Sequence, residues 1–232
     1  MTTTRPPLQA PAPSPGRRRF AALPLCWGLG LSLSLSLIGC GSLLPPPAPQ
    51  PAYFALQGAA AKAQRPGPPR LAPVLVVQPP RAAPGFDTAR MMYMRQPNRL
   101  EYFAYSEWVD TPARMLAPLM VAALDASAGF GAVVQAPSLV SGGLQLETQL
   151  LRLQQEFAGS PSQLRLTLRA QLIDAANRRV LATRDFEHTV PSTSEDAAGG
   201  AAAAQVAVNA LLAELALWCG QVAASAAPVP QR

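Results

Sequence analysis

The sequence predicts an α/β chain of the α+β type, in which two main helices pack on a mixed, mostly antiparallel sheet of about five to six strands in a single domain. Apolar and polar residues alternate over 144–150 and over 164–172, which is the period of a half-buried strand. Apolar residues instead recur at helical spacing over 112–124 and after residue 195. The strands follow one another through short turns, and such hairpins exclude a regular alternation of parallel strands and helices.

In the first half of the folded region, strands are predicted where β-branched or aromatic residues gather. The stretch 71–78 stops at Pro79-Pro80, because proline cannot donate to a strand ladder. The stretches 90–95 and 99–105 flank Gln96-Pro97-Asn98, whose composition is typical of a tight turn. These two stretches are therefore predicted to form a hairpin.

The first helix is predicted to begin near Pro112, which suits the first helical turn. Asp110 or Thr111, just before it, supplies an oxygen for the free backbone N–H groups. A further short strand is predicted over 130–135. The apolar residues that share one face of the helix are Met115, Leu116, Leu119, Met120, Ala123 and Leu124.

The second half of the domain contains the alternating strands and a closing helix. Ala176-Asn177 is predicted to form a turn, after which 180–188 runs back as the next strand. Ser192 and Glu195 have the spacing of a capping box, which predicts the start of a long helix. The predicted apolar face of that helix consists of Val206, Leu211, Leu212, Leu215 and Trp218.

The amino-terminal segment has the composition of an export signal. Arg17-Arg18-Arg19 precedes the apolar stretch 20–39, which Pro24 and several Gly and Ser residues interrupt. A spanning helix needs roughly 20 predominantly apolar residues, so a cleaved signal peptide is favoured over a membrane anchor.

The end of this segment contains the one cysteine with a predicted chemical fate. Leu37-Ile38-Gly39-Cys40 resembles the bacterial lipobox, in which the thiol is alkylated and the chain is cut directly before the cysteine. The resemblance implies that residues 1–39 are a signal peptide, cleaved between Gly39 and Cys40. It also implies that Cys40 carries a diacylglycerol and an N-acyl chain, and no other cofactor is expected.

Between the lipid and the domain, residues 40–69 are predicted to be a tether rich in Pro and Ala. Such a chain extends by about 3.1 Å per residue, so it holds a domain tens of ångströms from a membrane. The apolar stretch 53–56 interrupts the tether and is expected to dock on the domain as an edge strand. The domain itself is placed at 70–222 and a disordered tail at 223–232.

Charge and cysteine content exclude several classes of protein. The net charge of +6 includes four arginines before Cys40, so removal of that segment leaves 15 basic against 13 acidic residues and no nucleic-acid partner is expected. Cys26 leaves with the signal peptide and Cys40 is acylated, so Cys219 remains as a lone thiol. The sequence has no cluster of Cys and His, and no metal site is predicted.

Several stretches together resemble the ABC-type transport auxiliary lipoproteins of the PqiC-like group, over roughly residues 53–220. The later stretches are the segment LRLTLRAQLIDAANRRVLATRDF and a closing helix that ends near Trp218. The earlier ones are 74–77, Gly85-Phe86-Asp87, Tyr93, 99–105, Glu107-Trp108-Val109 and the helix from Pro112.

The resemblance implies a binding role rather than catalysis. Such lipoproteins accompany a periplasmic MCE-type protein, an inner-membrane permease and an ATPase that move lipids between membranes. The protein is then expected to be lipid-anchored on the periplasmic side of the outer membrane of a Gram-negative bacterium and to form a homo-oligomer. The alternative is an outer-membrane assembly lipoprotein that partners a β-barrel.

Three aromatic residues are candidates for a partner interface or for the core: Tyr93, Tyr105 and Trp108. Tyr93 and Tyr105, together with Tyr102, would line an apolar groove for acyl chains, or would simply pack across the strands of a hairpin. A periplasmic hydrolase is a third class, in which His188 would act as the base. The sequence has no G-x-S-x-G stretch, and no catalytic residue is predicted.

Overall fold

The computed structural model describes residues 50–58, 72–140 and 142–226. The predicted signal peptide, its cleavage site at Gly39, and Cys40 lie outside the described residues. In chain order the strands are β1 (Ala52–Phe54), β2 (Val74–Val77), β3 (Arg81–Ala82), β4 (Arg90–Gln96), β5 (Arg99–Trp108), β6 (Ala132–Gln135), β7 (Leu144–Glu156), β8 (Gln163–Asp174) and β9 (Arg179–Pro191). The helices in this part of the chain are α1 (Pro112–Ala126) and α2 (Ala197–Ala226).

The strands lie in one mixed sheet, and β7 is its central strand. Along one edge, β7 pairs antiparallel with β8, which in turn pairs antiparallel with β9. Along the other edge, β2, β3 and β4 follow one another, each parallel to β7. On its other side β2 pairs with β6. β4 pairs with β5 in the predicted hairpin, and β5 pairs in turn with β1.

The predicted α+β class with two main helices is confirmed, but the predicted number of five to six strands is wrong, because the described residues contain nine. The long strands β7, β8 and β9 have 13, 12 and 13 residues, enough for their alternation to be evident. The short strands β1, β3 and β6 have only 3, 2 and 4 residues. Short strands were expected at 53–56 and 130–135, where β1 and β6 lie. β3 was not expected, and it forms along the free edge of β7, a tertiary effect that outweighs local preference.

The core lies on one face of the sheet, where α1 and α2 pack. Phe186 of β9 lies beneath α2, and its ring centroid is 5.7 Å from that of Trp218 in an edge-to-face contact. Each fully buried leucine contributes about 1.5–3 kcal/mol through its removal from water. The buried leucines of β7 and β8 are Leu144, Leu146, Leu150, Leu153, Leu164, Leu166, Leu168 and Leu172.

The apolar faces predicted for the two helices are largely confirmed. α1 begins at Pro112, as predicted, and buries Met115, Leu116, Met120 and Leu124. α2 buries Leu211, Leu212, Leu215 and Trp218. Val206 was also predicted to face the core, but its side chain is 56% exposed, so that assignment is wrong.

Within the described ranges, α2 is the one helix that is long and apolar enough to cross a membrane by length and composition. Half of its most apolar window is buried inside the protein. A core helix of a folded domain has this property, and α2 packs against β7, β8 and β9.

The start of α2 differs from the predicted capping box of Ser192 and Glu195. The helix begins at Ala197, and Asp196 caps it, since its Oδ1 accepts a hydrogen bond of 2.8 Å from the N–H of Gly199. Glu195 instead accepts a hydrogen bond of 2.9 Å from the N–H of Ser162. Asp196, which directly follows Glu195, therefore caps the helix in place of Ser192.

Candidate functional site

The structure separates the three aromatic candidates. Trp108 is 4% exposed and belongs to the core, and its backbone N–H donates a hydrogen bond of 2.7 Å to the carbonyl of Ala89. Tyr93 is half-buried in β4, whereas Tyr105 is 53% exposed in β5. Of the three, Tyr105 is therefore the residue most available to a partner.

Tyr93 packs across the hairpin strands. Its ring centroid is 4.6 Å from that of Phe103 and 5.7 Å from that of Phe157, and Arg95 lies over the ring. Its hydroxyl donates a hydrogen bond of 3.0 Å to Glu101. That bond, and then burial, raises the pKa of Tyr93 because both disfavour the phenolate.

The three tyrosines do not line one groove for acyl chains. Tyr93 lies opposite Glu101 in the β4–β5 ladder, and Tyr102 is the next residue, so their side chains project from opposite faces. Tyr102 lies instead beneath the guanidinium of Arg90, which is 3.8 Å from the ring centroid. Tyr93 therefore packs across the strands, and the three tyrosines do not share one face of the hairpin.

An open groove of about 670 Å³ lies between the β2–β3 connection and the sheet surface formed by β7 and β8. The side chains of β7 that enter it alternate with the buried leucines of that strand, and most therefore face away from the helices. Its lining consists of Gln78, Pro79, Pro80, Arg81, Gln145, Glu147, Thr148, Gln149, Arg169 and Gln171.

We call this the polar groove. Its lining suits a polar ligand. Amide side chains both donate and accept hydrogen bonds, and guanidinium groups donate several. An acyl chain placed there would leave these groups without partners, which costs free energy. The groove therefore has the chemistry to bind an extended polypeptide segment or another polar chain.

Internal contacts hold the floor of the polar groove in position. Arg169 donates hydrogen bonds of 2.7 and 2.8 Å to the two oxygens of Asp185, and Gln145 donates one of 2.9 Å to Glu147. The bond from Arg169 holds the pKa of Asp185 below its ordinary value. Nearly half of each side chain of this pair is exposed to screening by solvent, so the pair adds little to stability and acts mainly by orienting the groove.

A second surface lies at the corner where β1 joins β5. Tyr53 is opposite Glu107 in the parallel β1–β5 ladder, and Tyr105 and Val109 lie two residues to either side of Glu107. The alternation of a strand places these side chains on the face opposite Trp108. Tyr53, Tyr105 and Val109 are 62%, 53% and 57% exposed, and we call them the aromatic corner.

The residues that follow β1 bind to the domain. Leu56 is buried in the core, and the backbone N–H of Gln57 donates a hydrogen bond of 2.8 Å to the side-chain oxygen of Gln205 in α2. The amide of Gln205 also donates to the carbonyl of Gln57, so it pairs with both backbone groups as a neighbouring strand would. Docking of the stretch 53–56, expected from the sequence, is confirmed for Ala52–Phe54.

The remaining candidate reactive groups, His188 and Cys219, lie where the fold gives each a structural setting. His188 lies 3.3 Å from Glu214 of α2, which also binds Arg184, and this links β9 to the helix. Burial raises the pKa of the Cys219 thiol to about 12, so it is held as an unreactive thiol. Among the described residues no group of His, Cys, Asp and Glu is arranged to hold a metal ion.

Sequence reasoning missed the polar groove and two of the three residues of the aromatic corner, Tyr53 and Val109. The alternation of β7 and β8 marked Gln145, Gln149 and Arg169 as outward-facing, but it held no sign that the β2–β3 connection lies beside them. Tyr53 was recognised only as part of a docking stretch. Its position beside Tyr105 follows from the pairing of two strands about 50 residues apart in the chain.

Comparison with known proteins agrees with this fold. Protein XCC0632 from Xanthomonas campestris, of the family DUF330, is similar over 75% of this chain and 97% of that chain, with 25% identity and a TM-score of 0.65. The crystal structure of an uncharacterized protein covers 73% of this chain and 99% of its own, with 12% identity and a TM-score of 0.58, and shows the same fold.

A PelC dodecamer from Paraburkholderia phytofirmans is more distant. It has 16% identity, covers 65% of this chain and 93% of its own, and has a TM-score of 0.40, so nothing about assembly is transferred from it.

Sequence comparison identifies the family. No curated protein sequence matches the chain. The family model for the ABC-type transport auxiliary lipoprotein component matches residues 54–216, from the end of β1 to the second half of α2. The chain therefore belongs to the family of ABC-type transport auxiliary lipoprotein components, bacterial lipoproteins that assist transport.

Proposed function

We propose that this protein is a non-catalytic accessory of an MCE-type lipid transport system, anchored to the periplasmic face of the outer membrane. The observation that carries the proposal is the family match, which spans residues 54–216 and so nearly the whole domain. The auxiliary role of the family favours binding over catalysis. The position of His188 beside Glu214 and the burial of Cys219 are consistent with that role.

The proposed anchor is Cys40, with a diacylglycerol on its sulfur and an acyl chain on its amino group. Two or more lipid chains give stable attachment, because each buried CH₂ contributes about 0.8 kcal/mol. Metabolic labelling with palmitate tests this directly. The wild-type protein is expected to incorporate label and Cys40→Ser to incorporate none; labelled Cys40→Ser would overturn the anchor.

The polar groove is the proposed docking surface for a segment of the MCE-type partner. Gln145, Gln149 and Gln171 can pair with the N–H and C=O groups of an extended chain, as strand neighbours do. Arg81 is exposed at the groove and adds a charged donor for a carboxylate or carbonyl of the partner. The groove would therefore bind protein while the partner carries the lipid.

Site-specific photo-cross-linking in living cells tests the partner and the surface together. A cross-linker in place of Gln149 is expected to capture an MCE-type protein, and one in place of Leu217 on α2 serves as the matched exposed control. Capture of a β-barrel protein at 149 would support the alternative of an outer-membrane assembly lipoprotein. Equal capture at 149 and 217 would exclude the polar groove as the docking surface.

Self-association is part of the proposal, since a ring of copies would extend a conduit for lipid. The expected result is a species larger than the monomer in gel filtration of the lipidated protein, alone or mixed with its MCE-type partner. A monomer at every concentration, with and without partner, would contradict it.

A further inference from the structure

The chain joins the domain within the predicted tether 40–69, and therefore close to Cys40. The sheet begins at Ala52, because β1 pairs with β5, and Leu56 and Gln57 are also bound to the domain. Only residues 41–51 lie between Cys40 and β1. A fully extended chain of that length spans about 40 Å at most, so the domain stays within about one domain diameter of the lipid.

The part of the domain that this short connection reaches first is the aromatic corner. Tyr53 belongs to β1 itself, and Tyr105 and Val109 flank its cross-strand neighbour Glu107. All three side chains are more than half exposed, although the same two strands bury Phe54 partly and Trp108 almost fully on the other face. The sheet thus presents apolar and aromatic groups on both faces at the point where the chain enters.

The chemistry of the aromatic corner fits the interface of a lipid bilayer. Tyrosine has an apolar ring and a polar hydroxyl, and it is enriched at the level of lipid headgroups. The nearby charges balance, because Glu107 is opposite Arg90 and Asp110 lies 3.4 Å from Arg114. A surface without net charge has no electrostatic preference for an anionic membrane, so its attraction to lipid depends on its apolar groups.

We propose that the aromatic corner lies against the lipid surface to which Cys40 is attached, and that this contact sets the orientation of the domain. The inference rests on the proposed anchor at Cys40. A short tether holds the corner at an effective concentration on the order of millimolar at the bilayer, so a weak interfacial contact is enough. In this orientation β1 and β5 face the lipid, while the β9 edge of the sheet and the part of α2 that packs on it lie farther away.

Fluorescent labelling of the full lipidated protein tests the orientation. Single cysteines replace Tyr53, Tyr105 or Val109, and Leu217→Cys on α2, where Leu217 is 67% exposed, is the control. Cys219 is buried, so it does not take up a thiol-reactive label in the folded protein. Each labelled protein is reconstituted into vesicles of phosphatidylethanolamine and phosphatidylcholine at low protein density, without any partner.

The expected result is that doxyl-labelled lipid quenches the labels at the aromatic corner several-fold more strongly than the label at 217. Iodide in the aqueous phase should quench them several-fold less, and high salt should leave both differences unchanged. Far-UV circular dichroism confirms that each variant is folded. The three corner positions are tested separately, so loss of one variant leaves two.

Three results would overturn the proposal in distinguishable ways. Protein that separates from the vesicles in flotation would overturn the anchor at Cys40, and the orientation with it. Protein that floats with the vesicles but is quenched equally at 105 and 217 would overturn the orientation alone. Shielding that appears only at high protein density, or only with an added MCE-type protein, would identify the corner as a protein interface.

Discussion

Two glycines of α2 allow a strict test of how this helix is packed. A Cβ added to Gly200 would lie 2.3 Å from Oε1 and 3.0 Å from Cδ of Gln155, which is far too close for an ordinary contact. Gln155 is 1% exposed and cannot move freely, because its Nε2 donates hydrogen bonds of 2.9 and 3.2 Å to Ser162 and Ser192. A Cβ added to Gly220, in the same helix, meets no atom within 4 Å.

The same substitution is therefore expected to have opposite effects at the two positions. Alanine is favoured over glycine in a helix by up to about 1 kcal/mol, and Gly220→Ala should gain most of that. Gly200→Ala gains the same helix propensity. Overpacking a buried site, however, costs about 1–3 kcal/mol, and each displaced hydrogen bond costs about 1 kcal/mol. The net expectation for Gly200→Ala is a loss of about 1–2 kcal/mol.

Thermal unfolding of the two variants measures the difference. For a domain of this size 1 kcal/mol shifts Tm by about 2–4 °C, so Gly220→Ala should raise Tm by that amount and Gly200→Ala should lower it by about 2–8 °C. Fluorescence reports the transition well, since Trp108 and Trp218 are both buried.

A double-mutant cycle isolates the cause. In the background Gln155→Ala the close contact is gone, so Gly200→Ala should become neutral or stabilising. If Gly200→Ala destabilises equally in both backgrounds, or stabilises the wild type as much as Gly220→Ala does, the reasoning from the contact with Gln155 is refuted.

Three further changes test other parts of the structure. Asp196→Ala should cost about 1 kcal/mol at pH 7, because it removes the cap of α2. A hydrogen bond from Ser194, and to a lesser extent one from Gly199, hold the pKa of Asp196 below its ordinary value. The charged carboxylate therefore stabilises the fold fully above the ordinary pKa, and this stabilisation is lost as the pH falls through the lowered pKa. Denaturant titrations from pH 7 to acid pH should therefore show the penalty of Asp196→Ala shrinking; a constant penalty, or an equal pH dependence for Asp196→Asn, would contradict this. The Cys219 thiol should resist alkylation at pH 8 in the folded protein and react fully in denaturant, because burial raises its pKa to about 12; rapid reaction of the native protein would disprove its burial. Gln205→Ala should free the backbone of Gln57 at a cost of about 1 kcal/mol and speed proteolysis before residue 59. Gln221 is exposed on the same helix, and Gln221→Ala should leave the cleavage rate unchanged. Equal cleavage rates for the two variants would argue against the docked segment.

The sequence was a good guide where structure depends on neighbouring residues. The alternation of Leu144, Leu146 and Leu150 predicted both the strand and its buried face, because successive side chains of any strand point to opposite sides. Pro97-Asn98 predicted the hairpin turn, and Asn98 has a φ of 64°, a left-handed conformation that asparagine tolerates. Pro112 likewise marked the first residue of α1.

Prediction failed where a residue's role depends on distant parts of the chain. Glu195 has the right spacing to complete a capping box, yet it binds Ser162, which the β8–β9 region brings beside it. Gly199 and Gly200 have low helix propensity, and only the fold shows that the close approach of Ser194 and Gln155 leaves no room for a Cβ at either position. Val206 follows the helical spacing, but its side chain is 56% exposed in the folded domain.

The sequence by itself determined the α+β class, the long antiparallel strands, both helices and a family resemblance that the match over 54–216 confirms. Tertiary structure alone decided that β2, β3 and β4 share one edge of β7, and hence where the polar groove lies. It also decided that the docked stretch pairs with β5, which brings Tyr53 beside Tyr105. The physical reason is that periodicity records which face of a strand or helix is buried, whereas the partner of a short strand depends on edges that distant residues leave free.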